Sequence, residues 1–190
     1  PLWTFTTDSD SFFTSVDISA DGGYITAGTD TEETSVCGGW YCGYVYLFDK
    51  QGNQKWKKTV YEKVVSVSIS ADAEYITAGT DCGDPDEGCS ATGIHTYQKD
   101  GTSSFTITNS GIDTVAISAN GEYVVTGEVR TTSSDLYLYN KDSSTEIWST
   151  DSAAFWPSVS ISGNGEYIVG LSSYVDGGYK GQVHLFSKES

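Results

Sequence analysis

The chain has no methionine among its 190 residues, two histidines, and 10 basic residues against 26 acidic ones. It also lacks any run of 18 apolar residues, any Asn-x-Ser/Thr sequon and any Gly-x-Ser-x-Gly elbow. Each absence excludes something. Without a long apolar run, no segment reads as a bilayer-spanning helix, so membrane insertion is not expected. A net charge of −16 repels phosphate backbones and anionic lipid surfaces, so nucleic acid is not an expected partner either. Without a sequon, N-linked sugar is not expected, while the Ser/Thr-rich stretches 131–134 and 143–145 leave O-linked sugar open. Without an elbow there is no ready nucleophile, and a Ser/His/Asp set picked from so Ser- and Asp-rich a chain carries no weight. Starting at Pro1, the chain is expected to be a processed product or a segment of something longer.

Cysteine is scarce but patterned. Cys37 and Cys42 form one close pair, Cys82 and Cys89 another, each after an Ala-Gly-Thr-Asp (27–30 and 78–81). Local disulfides, Cys37–Cys42 and Cys82–Cys89, are the expected reading, and they imply an oxidising compartment. Zinc is the rival, but neither spacing suits it.

What is abundant is repetition. The stretch 16–28 reads VDISADGGYITAG. It returns at 67–79 as VSISADAEYITAG, at 115–127 as VAISANGEYVVTG and at 159–171 as VSISGNGEYIVGL. Val16 and Ile18 alternate with Asp17 and Ser19, the period of a strand. Asp21-Gly22 predicts a two-residue type I′ hairpin, and Tyr24 to Ala27 the return strand. A third strand follows at Tyr44 to Phe48, a turn at 49–53, and a fourth strand at Lys55 to Val60. Third strands recur at 94–97, 136–139 and 183–186, each ending near a lysine: Lys50, Lys99, Lys141 and Lys188. Trp56 and Phe105 come six residues after their lysine and Trp148 seven after its own. Hairpins are spaced by 51, 48 and 44 residues, the period of a four-strand propeller blade.

The ends complement each other. After Lys188 only two residues remain, while Leu2-Trp3 looks like the start of a fourth strand. The expected fold is therefore all-β: a β-propeller of four four-stranded antiparallel blades, one domain over 1–190, with the last blade completed by the N-terminal strand. Repeat units run about 12–60, 61–108, 109–152 and 153–190 plus 1–6. Completion within one chain closes a ring; completion between chains links subunits head to tail. Four blades is the low end of the propeller range, so two chains forming one eight-bladed ring is an alternative.

The units V-x-I-S-A-[DN]-G-E-Y-I and [VL]-Y-L-[FY]-[DN]-K-x-G-x-x-x-W resemble the WD40-like and quinoprotein-type (PQQ-like) β-propeller repeats of prokaryotic proteins. The resemblance covers nearly the whole chain. It implies the fold and leaves function open, because propellers host many roles. No Trp-Asp dipeptide ends the third strand, no Gly-His partner precedes it, and the vicinal cysteines of quinone-dependent dehydrogenases are missing. No cofactor is expected.

Candidate sites are few. His95 and His184 occupy the third-strand position held elsewhere by Tyr46 and Tyr137, so a packing role is expected. The acidic loop with Asp81, Asp84, Asp86 and Glu87 is the one weak calcium candidate, without an EF-hand spacing. Trp3, Trp56, Phe105 and Trp148 share a repeat register and are expected between blades. Trp40, Tyr41 and Trp156 have no counterparts in other repeats, so they are candidate contacts for protein or glycan, with Leu2 and Trp3 as candidates for strand exchange. No catalytic residue is nominated. The expected function is a non-catalytic extracellular or cell-surface structural and interaction module, self-assembling into a filament or surface array through its N-terminal strand. The alternatives are a ligand- or calcium-binding propeller or small propeller enzyme working at its central face, and an intracellular protein-interaction scaffold.

Overall fold

The computed structural model describes residues 1–7, 10–31, 42–81, 92–108, 111–128, 135–150, 155–175 and 179–189. Among these there is no helix. The strands form four antiparallel sheets, each a meander in chain order. Blade one holds β1 (Ser11–Ile18), β2 (Tyr24–Thr31), β3 (Gly43–Asp49) and β4 (Gln54–Val60). Blade two holds β5 (Lys63–Ile69), β6 (Tyr75–Asp81), β7 (Gly93–Gln98) and β8 (Ser103–Thr108). Blade three holds β9 (Ile112–Ile117), β10 (Tyr123–Glu128), β11 (Leu136–Asn140) and β12 (Glu146–Ser149). Blade four has three strands, β13 (Phe155–Ile161), β14 (Tyr167–Val175) and β15 (Tyr179–Ser187).

The first hairpin is longer than the expected type I′ turn. Ile18 and Ile25 are paired, and the link runs from Ser19 to Gly23. A type I′ turn needs positive φ at two successive residues, whereas here Gly22 alone has it, at 65°. Gly22 N–H donates to the Ser19 carbonyl (2.9 Å), and the Asp21 carboxylate accepts from the Ser19 hydroxyl and the Gly23 N–H, both 2.8 Å. The side chains of Ser19 and Asp21 thus satisfy the backbone of a wider loop. Ser70/Asp72, Ser118/Asn120 and Ser162/Asn164 repeat it.

Alternation gives every blade two apolar faces, because successive side chains leave a strand on opposite sides. One face meets the next blade. Val45 and Leu47 of blade one are fully buried with Val64, Val67 and Ile69 of blade two. Ile94 packs likewise with Ile112, Val115 and Ile117, and Leu136 and Leu138 with Val159, Ile161 and Ile168. Glycine permits the close approach: a Cβ on Gly28 would lie 2.4 Å from Val64, and one on Gly79 2.6 Å from Ile112. At about 1.5–3 kcal/mol for each buried aliphatic side chain, these joints are the main source of stability.

The array is open. Blade one presents Val16 and Ile18 at 67% and 56% exposure, and blade four presents Val183 and Leu185 at 72% and 71%. The expected completion of the last blade by residues 1–6 is not found among the described residues. Residues 1–7 form no strand and lie against blade one, while β15 is left as the edge of a three-stranded sheet. The physical reason is reach: the apolar surface available to Trp3 and Phe5 within this chain is their own blade's Tyr46 and Phe48.

Candidate functional site

The surfaces that stand out are the two ends of the array, and the inner joints show how the equivalent surfaces are covered within the chain. At each joint a lysine at the close of the third strand lies over a tyrosine of the preceding blade. The Lys99 ammonium is 4.5 Å from the Tyr24 ring centre, Lys141 4.9 Å from Tyr75 and Lys188 5.2 Å from Tyr123. Lys99 also pairs with Glu74 at 3.2 Å and Lys188 with Glu166 at 2.6 Å, and Lys141 pairs with Asp142. Those carboxylates hold all three ammonium groups above their ordinary range. A depression of about 320 Å³ is lined by Tyr24, Glu74, Lys99 and Asp100, which makes it part of this recurring joint.

Outer aromatic residues close each joint. The Trp56 indole N–H donates to the Lys99 carbonyl at 2.9 Å, and Trp148 to Lys188 at 3.0 Å. Trp56 covers Tyr97 (5.7 Å between ring centres), whose burial pushes its phenol up to about 12. Trp148 covers Phe186 at 5.5 Å. Trp3 does the same without belonging to a strand: it donates to the Lys50 carbonyl at 3.1 Å and covers Phe48 at 5.8 Å. Residues 1–7 therefore sit where the outer strand of a preceding blade would sit.

The other candidates fall as follows. Leu2 is 99% exposed beside the half-buried Trp3. Asp81 ends β6 and pairs with Lys63 at 3.3 Å, while Asp84, Asp86 and Glu87 lie outside the described residues, as do Trp40, Tyr41, Cys37, Cys82 and Cys89. Cys42 is fully buried in a bridge with Thr31. Trp156 lies on β13. His184 meets the Ser172 hydroxyl at 2.8 Å and stacks on Phe186, as Tyr46 stacks on Phe48 and Tyr137 on Tyr139. This position is a packing ring in all three blades.

Val16, Ile18, Val183 and Leu185 follow the same apolar alternation as their buried counterparts, so the pattern alone does not mark them as surface. The signal that marks them is their place in the first and last repeats, which have a neighbouring blade on one side only.

No protein-family model and no curated protein sequence matches the chain. Solved structures do. Hydrazine synthase of Kuenenia stuttgartiensis is similar over 92% of this chain and 51% of its own, with a TM-score of 0.67 and 14% identity. The β-propeller domain of Myceliophteria thermophila Cps50 (Swd1) is similar over 94% and 54%, with a TM-score of 0.63 and 13% identity. A eukaryotic initiation factor is similar over 98% and 42%, with a TM-score of 0.62 and 11% identity. The chain spans about half the length of these solved chains. The sheets, their order and these likenesses together make the fold an open array of four β-propeller blades.

Proposed function

We propose that this chain is a non-catalytic structural and interaction module, working outside the cell or on its surface, that joins other propeller units through its end blades. The observation that carries the reading is the pair of bare apolar faces at opposite ends, Val16 and Ile18 at one and Val183 and Leu185 at the other. Apolar sheet surface of this kind marks contact with another protein. Among the described residues β15 is the outer strand of its sheet, the position that strand donation uses. Residues 1–7, seated as an outer strand without a sheet of their own, are the matching donor. Repeated donation gives a filament, an array or a closed pair. The compartment rests on the two close cysteine pairs and the net charge of −16.

Deleting residues 1–6 tests the reading. Native particles are expected to fall to single chains by sedimentation. Particles that keep their size and only melt earlier would remove strand donation. Thiol titration of unreduced protein unfolded in denaturant tests the compartment, with no thiol expected; four titrating thiols would place the chain in a reducing one.

A further inference from the structure

Resting on that reading, we infer that the partner covering both bare ends is a second copy of this chain, and that two copies close into one ring of eight blades. Val183 stands where Val45, Ile94 and Leu136 stand, and Leu185 where Leu47 and Leu138 stand. Those five are fully buried by the following blade, against 72% and 71% exposure in blade four. Val16 stands where Val67 and Val115 are 5% exposed, and Ile18 where Ile69 and Ile117 are 6% exposed, against 67% and 56% in blade one. The bare faces are the two halves of a joint that the chain already makes three times within itself.

The polar contacts follow the same register. Ser15 accepts from the Val67 N–H at 3.1 Å, Ser66 from Val115 at 3.1 Å and Ser68 from Ile117 at 3.3 Å. Ser158 and Ser160 hold the matching positions in blade four and are exposed; Ser158 is placed to accept from Val16 of the second copy, while the Ile18 N–H already donates to its own Asp17 at 2.8 Å. Tyr167 is 57% exposed where Tyr24, Tyr75 and Tyr123 each lie under the next blade's lysine, so Lys50 of the second copy covers it. Residues 1–7 of that copy then become the fourth strand on β15, with Trp3 opposite Leu185 as Trp56 is opposite Leu47.

One position departs from the pattern and fits it by compensation. Leu171 replaces the glycine of the inner joints. Facing it, Phe13 takes the place of Val64 and turns aside against Phe5 and Tyr46, at 6.3 and 5.9 Å. The joint between copies is therefore wider and weaker than those within the chain. Two copies supply two such joints, and eight blades lies within the range at which propellers close.

Sedimentation velocity and small-angle scattering of the intact chain, from about 1 to 100 µM, test this. The expected species holds two chains of 20.4 kDa each and scatters as a compact ring. Replacing the exposed pair, Val183→Asp with Leu185→Asp, is expected to raise the dissociation constant at least ~100-fold and leave a monomer with unchanged β-sheet dichroism. Tyr167→Ala, a milder change at an exposed site, is expected to raise it about tenfold. A monomer at the highest concentration overturns the ring and the assembly reading together. Open-ended species that lengthen with concentration overturn the ring while leaving end-to-end assembly standing. A dimer indifferent to both variants overturns the placement of the joint.

Discussion

Trp3 stands to Lys50 as Trp56 stands to Lys99 and Trp148 to Lys188: an indole N–H on the carbonyl of the lysine that follows the third strand, at 3.1, 2.9 and 3.0 Å. Two of these tryptophans belong to the outer strand of the preceding blade. Trp3 belongs to no strand, yet it fills on blade one the place that an outer-strand tryptophan of the preceding blade fills at the other two joints.

Truncating Trp3 tests that contact. Trp3→Ala removes a half-buried indole and is expected to cost about 2–3 kcal/mol, a fall of roughly 4–10 °C in melting temperature for a domain of this size. Trp3→Phe keeps the ring over Phe48 and loses only the hydrogen bond, about 1 kcal/mol. Phe105 already fills the equivalent place in blade two without an N–H. Equal losses for the two variants would show that the hydrogen bond, and not the packing, holds the segment.

Gly52 supports Trp3 from below. Its φ is 85°, and a Cβ there would lie 2.7 Å from the Trp3 ring. Gly52→Ala is expected to cost at least about 2 kcal/mol, from left-handed strain and the displaced indole together. Urea denaturation measures it, and in the Trp3→Ala background the loss is expected to shrink to the strain alone, about 1–2 kcal/mol.

Repeat position and burial can be separated with one substitution made twice. Val67→Asp places a carboxylate at a site 5% exposed and is expected to cost more than about 4 kcal/mol or prevent folding. Val16→Asp makes the same change at the same repeat position, 67% exposed, and is expected to move the monomer's melting temperature by less than about 2 °C. Thermal melts of the two proteins decide it. Similar losses would mean that the face of blade one is covered within the chain.

Acid stability follows from the turn carboxylates. The Gly23 N–H and the Ser19 hydroxyl hold Asp21 below its ordinary 3.8. The Asn53 side chain does the same for Asp49, and the Thr102 N–H for Asp100. At Asp72 burial opposes ionisation, but the Glu74 N–H and Ser70 hydroxyl outweigh it. A carboxyl lowered on folding contributes stability above its unfolded value, which is lost as pH falls through the lower folded value. Lys99, Lys141 and Lys188 are raised above 10.5, so their contribution is complete below that and is lost as pH rises through the folded values. Melting temperature is expected to be level between about pH 5 and 9 and to fall at both ends, below 3.8 and above 10.5. Asp72→Asn is expected to flatten the acid limb.

Much of the fold is local and was therefore legible. Val67-Ser68-Ile69 and its copies alternate because one face of each strand is buried, and a period of two survives in any arrangement of the blades. The lysine-to-tryptophan spacing was readable for the same reason, being set by one turn. The hairpin departs from the type I′ turn that Asp-Gly favours in isolation because Ser19 and Asp21 jointly hold a wider loop. The place of Trp3 after a third-strand lysine is readable in the sequence, and the blade it rests on is not, since spacing is local and packing is not. Val183 and Leu185 were indistinguishable in the sequence from Val45 and Leu47.

By itself, then, the sequence determined the unit: four strands, a Ser-Asp or Ser-Asn turn, and a lysine followed by a covering aromatic, repeated with its apolar periods intact. These depend on neighbours within a few residues. Only the tertiary structure decided which faces are covered, because the same valine is core at position 67 and surface at position 16, according to whether a blade precedes it. It also decided that residues 1–7 rest on blade one and that, among the described residues, β15 is the outer strand of its sheet, since both depend on contacts between segments far apart in the sequence.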